Sequence, residues 1–106
     1  VSDKPTLIDA LKADFKSRRR KETLLGFDVW ISPLTVEENM LLNEREPEGG
    51  AGRVAEILLM KCTDEAGTAV FSRSDKDVLA REVAGEHVSR LVTAITGPSV
   101  ETQAKN

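Results

Sequence analysis

Apolar positions along this chain recur at two spacings, and each change of spacing marks an element. Within residues 6–15, Ile8, Leu11 and Phe15 fall at i, i+3 and i+7 with Leu7 alongside, one stripe of an amphipathic helix. Pro5 and Thr6 suit its start. The following Lys16-Ser17-Arg18-Arg19-Arg20-Lys21 holds no apolar residue, so it is either the hydrated end of that helix or a loop. Its cations would complement the negative end of a helix dipole. Over residues 24–31 the period falls to two: Leu25, Phe27, Val29 and Ile31 alternate with Leu24, Gly26, Asp28 and Trp30, which predicts one strand. Pro33 ends it.

Thr35-Val36-Glu37-Glu38 has the Thr-x-x-Glu form of a capping box and predicts a short helix carrying Val36, Met40 and Leu41. Residues 46–52, Glu46-Pro47-Glu48-Gly49-Gly50-Ala51-Gly52, combine a proline with three glycines and read as a flexible loop. A third helix is expected over residues 53–61, with Val54, Ile57 and Leu58 at helical spacing and Leu59 and Met60 widening the arc. Asp64-Glu65-Ala66-Gly67 reads as a turn. Thr68-Ala69-Val70-Phe71 after it is strand-like, pairing either with residues near Cys62 or with the strand that ends at Ile31. Ser74, followed by Asp75 and Asp77, predicts a capped fourth helix with Val78, Leu79 and Val83 on its apolar side. Beyond a break at Gly85, Val88, Leu91, Val92 and Ile95 form the cleanest helical stripe. Gly97-Pro98 stops it, and the polar residues 98–106 are expected to form a disordered tail.

These elements predict an α+β fold, mainly α, with four or five helices and one small antiparallel sheet or hairpin. They suit a single helical domain over residues 1–97, whose basic amphipathic head spans residues 6–21. At 106 residues there is room for one modest core. No apolar run approaches the roughly 20 residues that span a bilayer, so a membrane span is not expected. The first five residues do not resemble a secretory signal, which points to the cytoplasm.

Charge divides the chain unevenly. Residues 1–21 hold seven Lys or Arg against three Asp, net +4, and the rest holds eight against fifteen Asp or Glu, net −7. A basic head on an acidic body could support head-to-body contacts between copies or docking of an oppositely charged partner.

Candidate chemistry is sparse. The single histidine, His87, sits at a helix start and reads as solvated or capping rather than catalytic. Asp75 with Asp77, and Glu37 with Glu38, are explained by helix amino termini, and no local cluster supplies enough oxygen ligands for magnesium. The lone Cys62 excludes an intramolecular disulfide and reads as a buried thiol. Gly-Gly-Ala-Gly-Arg lacks the Lys-Ser or Lys-Thr of a phosphate loop. The expectation is therefore a binding protein without catalytic residues, cofactor or metal. Arg18, Arg19, Arg20 and Lys21 could contact phosphates, but an acidic chain without tyrosine offers no aromatic interleaving for bases, so nucleic acid is a secondary reading. Trp30 lies on the strand face opposite Leu25, Phe27, Val29 and Ile31. Either both faces of that strand are covered or Trp30 marks a contact surface.

The segment Gly26-Phe27-Asp28-Val29-Trp30-Ile31-Ser32-Pro33-Leu34-Thr35-Val36-Glu37-Glu38 resembles a Gly-x-x-Val-aromatic-Val-Arg-x-Leu-Thr-x-x-Glu pattern of tail assembly chaperones of long-tailed, siphovirus-type bacteriophages. Lys61-Cys62-Thr63-Asp64-Glu65-Ala66-Gly67-Thr68-Ala69-Val70-Phe71-Ser72, with the acidic helix start that follows, is similar to that family's Asp-Glu-x-Gly turn and entry to its last helices. The chain departs from the pattern where Ile31-Ser32-Pro33 replaces a frequent Arg, and the basic head lies outside it. The resemblance implies a protein that self-associates as a homo-oligomer and binds the tape measure protein to keep it soluble during tail assembly. The tail tube protein is a further partner it suggests. It also implies a place in the infected cell's cytoplasm and absence from the mature virion. The rival expectations are a head-tail joining or other structural virion protein, and a small nucleic-acid-binding protein using residues 18–21. As self-association or client contacts the candidates are Leu7, Leu11, Phe15 and Trp30, with Arg18, Arg19 and Arg20 beside them.

Overall fold

The computed structural model of the chain describes residues 6–97. Their order is α1 (Leu7–Ser17), β1 (Arg20–Leu24), β2 (Phe27–Ile31), α2 (Val36–Arg45), α3 (Gly50–Lys61), α4 (Lys76–Arg81) and α5 (Gly85–Thr96), with a 3-10 turn at Arg73–Asp75 leading into α4. The fold is α+β and mainly α: five α-helices and one two-stranded antiparallel sheet among the described residues. Residues 98–106, expected to be a disordered tail, lie outside them.

The strand expected over residues 24–31 is instead a hairpin. Leu24 pairs with Phe27 at its closed end and Arg20 with Ile31 at its open end. Leu25 and Gly26 form the two-residue loop with φ of 53° and 84°, both positive, as a type I′ turn requires. Arg20 and Lys21, expected in a helix end or loop, begin β1. Nothing in their hydropathy signals a strand, because β1 has no fully buried residue and is defined by its ladder with β2.

The outer edge of β2 is partly occupied. Trp30 N–H donates to Thr63 O at 2.8 Å, and Thr63 N–H donates back to Trp30 O at 2.9 Å. Thr63 in turn bridges Ala69. Residues 68–71 therefore make one isolated bridge rather than a strand, and it is Thr63 that reaches β2.

The core gathers around α3. Ala55, Ile57, Leu58 and the adjoining Cys62 meet Val29 and Ile31 from β2, Leu42 from α2, Leu79 from α4, and Leu91 and Ile95 from α5. Each large side chain fully removed from water contributes roughly 1.5–3 kcal/mol. Two helix starts differ from the sequence expectation. Gly50 already begins α3, so the connection after α2 is only residues 46–49. The cap before α4 is Ser72, two residues earlier than Ser74; its N–H donates to Asp75 Oδ2 at 2.8 Å. In α2 the buried residue is Leu42, whereas Val36 and Met40 face outward.

One buried carboxylate ties the outer helices to α3. Glu56, 1% exposed, accepts from Arg73 Nη1 at 2.5 Å and Nη2 at 3.0 Å, and lies 3.2 Å from Lys76 Nζ and 3.4 Å from Arg45 Nη1. Lys76 also pairs with Glu46. A second pair, Lys61 Nζ to Glu38 Oε1 at 2.8 Å, fastens α3 to the start of α2.

Candidate protein-binding surface

The first turn of α1 is fixed locally. Thr6 Oγ1 accepts from Asp9 N–H at 3.2 Å and Thr6 N–H donates to Asp9 Oδ2 at 3.3 Å, a reciprocal capping box. At 100° per residue, Leu7, Ile8, Leu11 and Phe15 share an arc of about 100°. That arc faces no core, because α1 has no buried residue. Leu7, Ile8 and Leu11 are 75%, 61% and 55% exposed. Phe15 is better covered, with Lys61 Nζ 5.9 Å from its ring centroid.

The basic residues that follow are engaged within the fold. Arg18 lies 3.7 Å from Asp14, and a side chain at Gly97 would meet its guanidinium at 3.1 Å. Arg19 stacks on Trp30, its Cζ 4.7 Å from the ring centroid, while Nη2 donates to the carbonyls of Asp64 at 3.1 Å and Glu65 at 3.0 Å. Arg20 pairs with Glu22 at 3.3 Å, and Lys21 with Asp28 at 3.9 Å. Trp30 is half-buried beneath Arg19, so its outer face is already occupied. The structure thus brings Arg19 and Trp30 together as the clasp that holds α1 and the hairpin on the 64–67 turn. Leu7 and Leu11 stand apart from that clasp, free on the α1 surface.

Two exposed apolar areas were not singled out by the sequence. At the hairpin tip, Leu25 and Phe27 are exposed beside a groove of about 310 Å³ floored by Val29, Phe71 and Leu91. Alternation places Phe27 on the same face as Val29 and Ile31, but the strand runs past the core before reaching it. On α2, Val36 and Met40 project into solvent with Leu41, Glu37 and Glu44 around them. The legible signal there was the heavy acidic content of the helix, which leaves too narrow an apolar arc to pack both Leu42 and Met40.

The reactive side chains are quiet. Cys62 is fully buried, and burial pushes its thiol up to about 12, so it is neither nucleophile nor ready ligand at neutral pH. His87 is half-buried at the start of α5. Among the described residues no group of three or more His, Cys, Asp or Glu could hold a metal ion, and no helix is long and apolar enough to cross a membrane.

No family model, curated protein or solved structure matches this chain. The surface is therefore read from its own chemistry: an exposed apolar helix stripe, an acidic-apolar patch on α2, and a clasped hairpin between them.

Proposed function

We propose that this chain is a non-enzymatic tail assembly chaperone of a long-tailed bacteriophage, which self-associates and binds the tape measure protein to keep it soluble while the tail forms. The observation that carries the reading is α1, a capped amphipathic helix that buries no residue and whose Leu7, Ile8 and Leu11 stay exposed. An unpartnered stripe with anchors at i, i+1, i+4 and i+8 suits engagement of another helical protein along one face. Partner identity comes from the two motif segments, residues 26–38 and 61–72. These adjoin in the fold, where Trp30 and Thr63 exchange backbone hydrogen bonds, so the pattern belongs to one structural unit.

Nucleic acid stands behind this reading because Arg18, Arg19, Arg20 and Lys21 each have a carboxylate or carbonyl partner on this chain. Co-expression with the tape measure gene of the same genome tests the proposal. Soluble yield of the tape measure protein should rise severalfold, and should fall back when Leu7 and Leu11 are changed to serine. No rise with the wild-type chain rejects the chaperone function.

A further inference from the structure

We infer that α1 of one copy seats on the outer face of α2 of a second copy, reciprocally, to give a two-fold arm-exchanged dimer. This rests on the self-association part of the proposal above and names its two surfaces. The arm is the stripe of Leu7, Ile8 and Leu11, and the seat is Val36 and Met40, which are 77% and 66% exposed. The helices match in length: 11 and 10 residues at about 1.5 Å each give two rods of roughly 16 and 15 Å.

Charge selects the pairing. Lys12 lies about 40° beyond Ile8 at the edge of the α1 stripe and Lys16 about 40° further round, and neither forms an ion pair among the described residues. Glu37 and Glu44 line the hollow beside Val36 and Met40 and are equally without one. The carboxylates nearby are already taken: Glu38 by Lys61, Glu46 by Lys76, and Glu56 by Arg73. Uncommitted cations therefore lie on the arm and uncommitted carboxylates on the seat. The apolar groove at the hairpin tip offers no such match, since its one acidic residue, Asp28, is held by Lys21 and Thr23.

Area favours two-fold exchange. A single contact about three turns long is small against the ~1,600 Å² total of a standard interface, and a two-fold axis repeats it. Intrachain seating is disfavoured because the root of α1 is fastened through Arg19 to the 64–67 turn.

The test is a charge exchange followed by native mass spectrometry and sedimentation across the micromolar range. The variants are K12E/K16E and E37K/E44K, all at exposed positions, with circular dichroism to establish that each is folded. Wild type should dimerise, and each double variant alone should dissociate at least about tenfold more readily, since like charges then meet. Mixing the two variants should restore dimers, now heterodimers, because each arm then faces an oppositely charged seat. A wild-type chain that stays monomeric, or double variants that self-associate as well as wild type, overturns the inference. If the variants dissociate but their mixture does not pair, the α1-to-α2 match is wrong. Tape measure solubilisation is read separately in the co-expression assay, so the chaperone proposal stands or falls on its own measurement.

Discussion

Glu56 is a carboxylate at 1% exposure that nevertheless stays ionised. The two hydrogen bonds from Arg73 are the main cause; burial opposes them, Lys76 adds to them, and together they hold the group at about 2 rather than 4.5. Because the folded-state value is depressed, the stabilisation is fully present above the unfolded value of 4.5 and is lost as pH falls toward about 2. Its size is on the order of 2–3 kcal/mol, discounted for the solvent exposure of Arg73. Glu56→Gln should therefore lower stability at neutral pH by about 1–3 kcal/mol and flatten the acid loss between pH 4.5 and 2. Urea denaturation against pH measures both; an unchanged acid slope would place the loss elsewhere. Leu25 makes the opposite case, a strained residue at an exposed turn with φ of 53°. Left-handed backbone costs a branched residue about 1–2 kcal/mol, so Leu25→Asn should raise stability by about 0.5–1 kcal/mol in thermal or urea denaturation. Absence of any gain would mean that contacts of Leu25 beside the groove offset the strain.

Caps and breaks were the legible features among the elements. The box at Thr35 forms as its Thr-x-x-Glu spacing predicts, and Thr6, read only as suiting a helix start, makes a second box with Asp9, since a cap is decided within four residues. Stripes were less informative, because periodicity names a face but not what lies opposite. The stripes of α1 and α5 read alike in sequence, yet Leu91 and Ile95 are buried whereas Leu7 and Leu11 are exposed. This sets an element-scale expectation. At concentrations low enough to keep the chain monomeric, changing Leu7 and Leu11 together to serine should alter unfolding free energy by no more than about 0.5 kcal/mol, while Leu58→Ala, at 0% exposure, should cost about 2–5 kcal/mol. Chemical denaturation separates them, and a large loss from the α1 variant would show that its stripe is covered within one chain.

On the scale of the whole molecule, the division into a basic head and an acidic body survives folding only in part. Arg19 alone joins the head to the 64–67 turn, Arg18 pairs within α1 and Arg20 and Lys21 pair within the hairpin, which leaves Lys12 and Lys16 as the cations of α1 without an ion pair among the described residues. Part of the acidic surplus is drawn inward, with Glu38, Glu46 and Glu56 in pairs that brace α2, α3 and α4. Among the residues without an ion pair, Glu37 and Glu44 stand beside the exposed apolar side chains of α2.

The sequence by itself determined the local matters: which stretches are helical, that Thr35 caps one of them, that Gly97 ends the last one, that Cys62 has no disulfide partner, and that the fold is mainly helical with one small sheet. Each depends on a few neighbouring residues, whose caps, spacing and backbone freedom act at short range. Only the tertiary structure decided that residues 20–31 fold back as a hairpin, that Trp30 lies under Arg19, and that the stripes of α1 and α2 stay outside. Those outcomes depend on partners distant in sequence, such as Thr63 and Asp64, competing for one core too small to cover every apolar face.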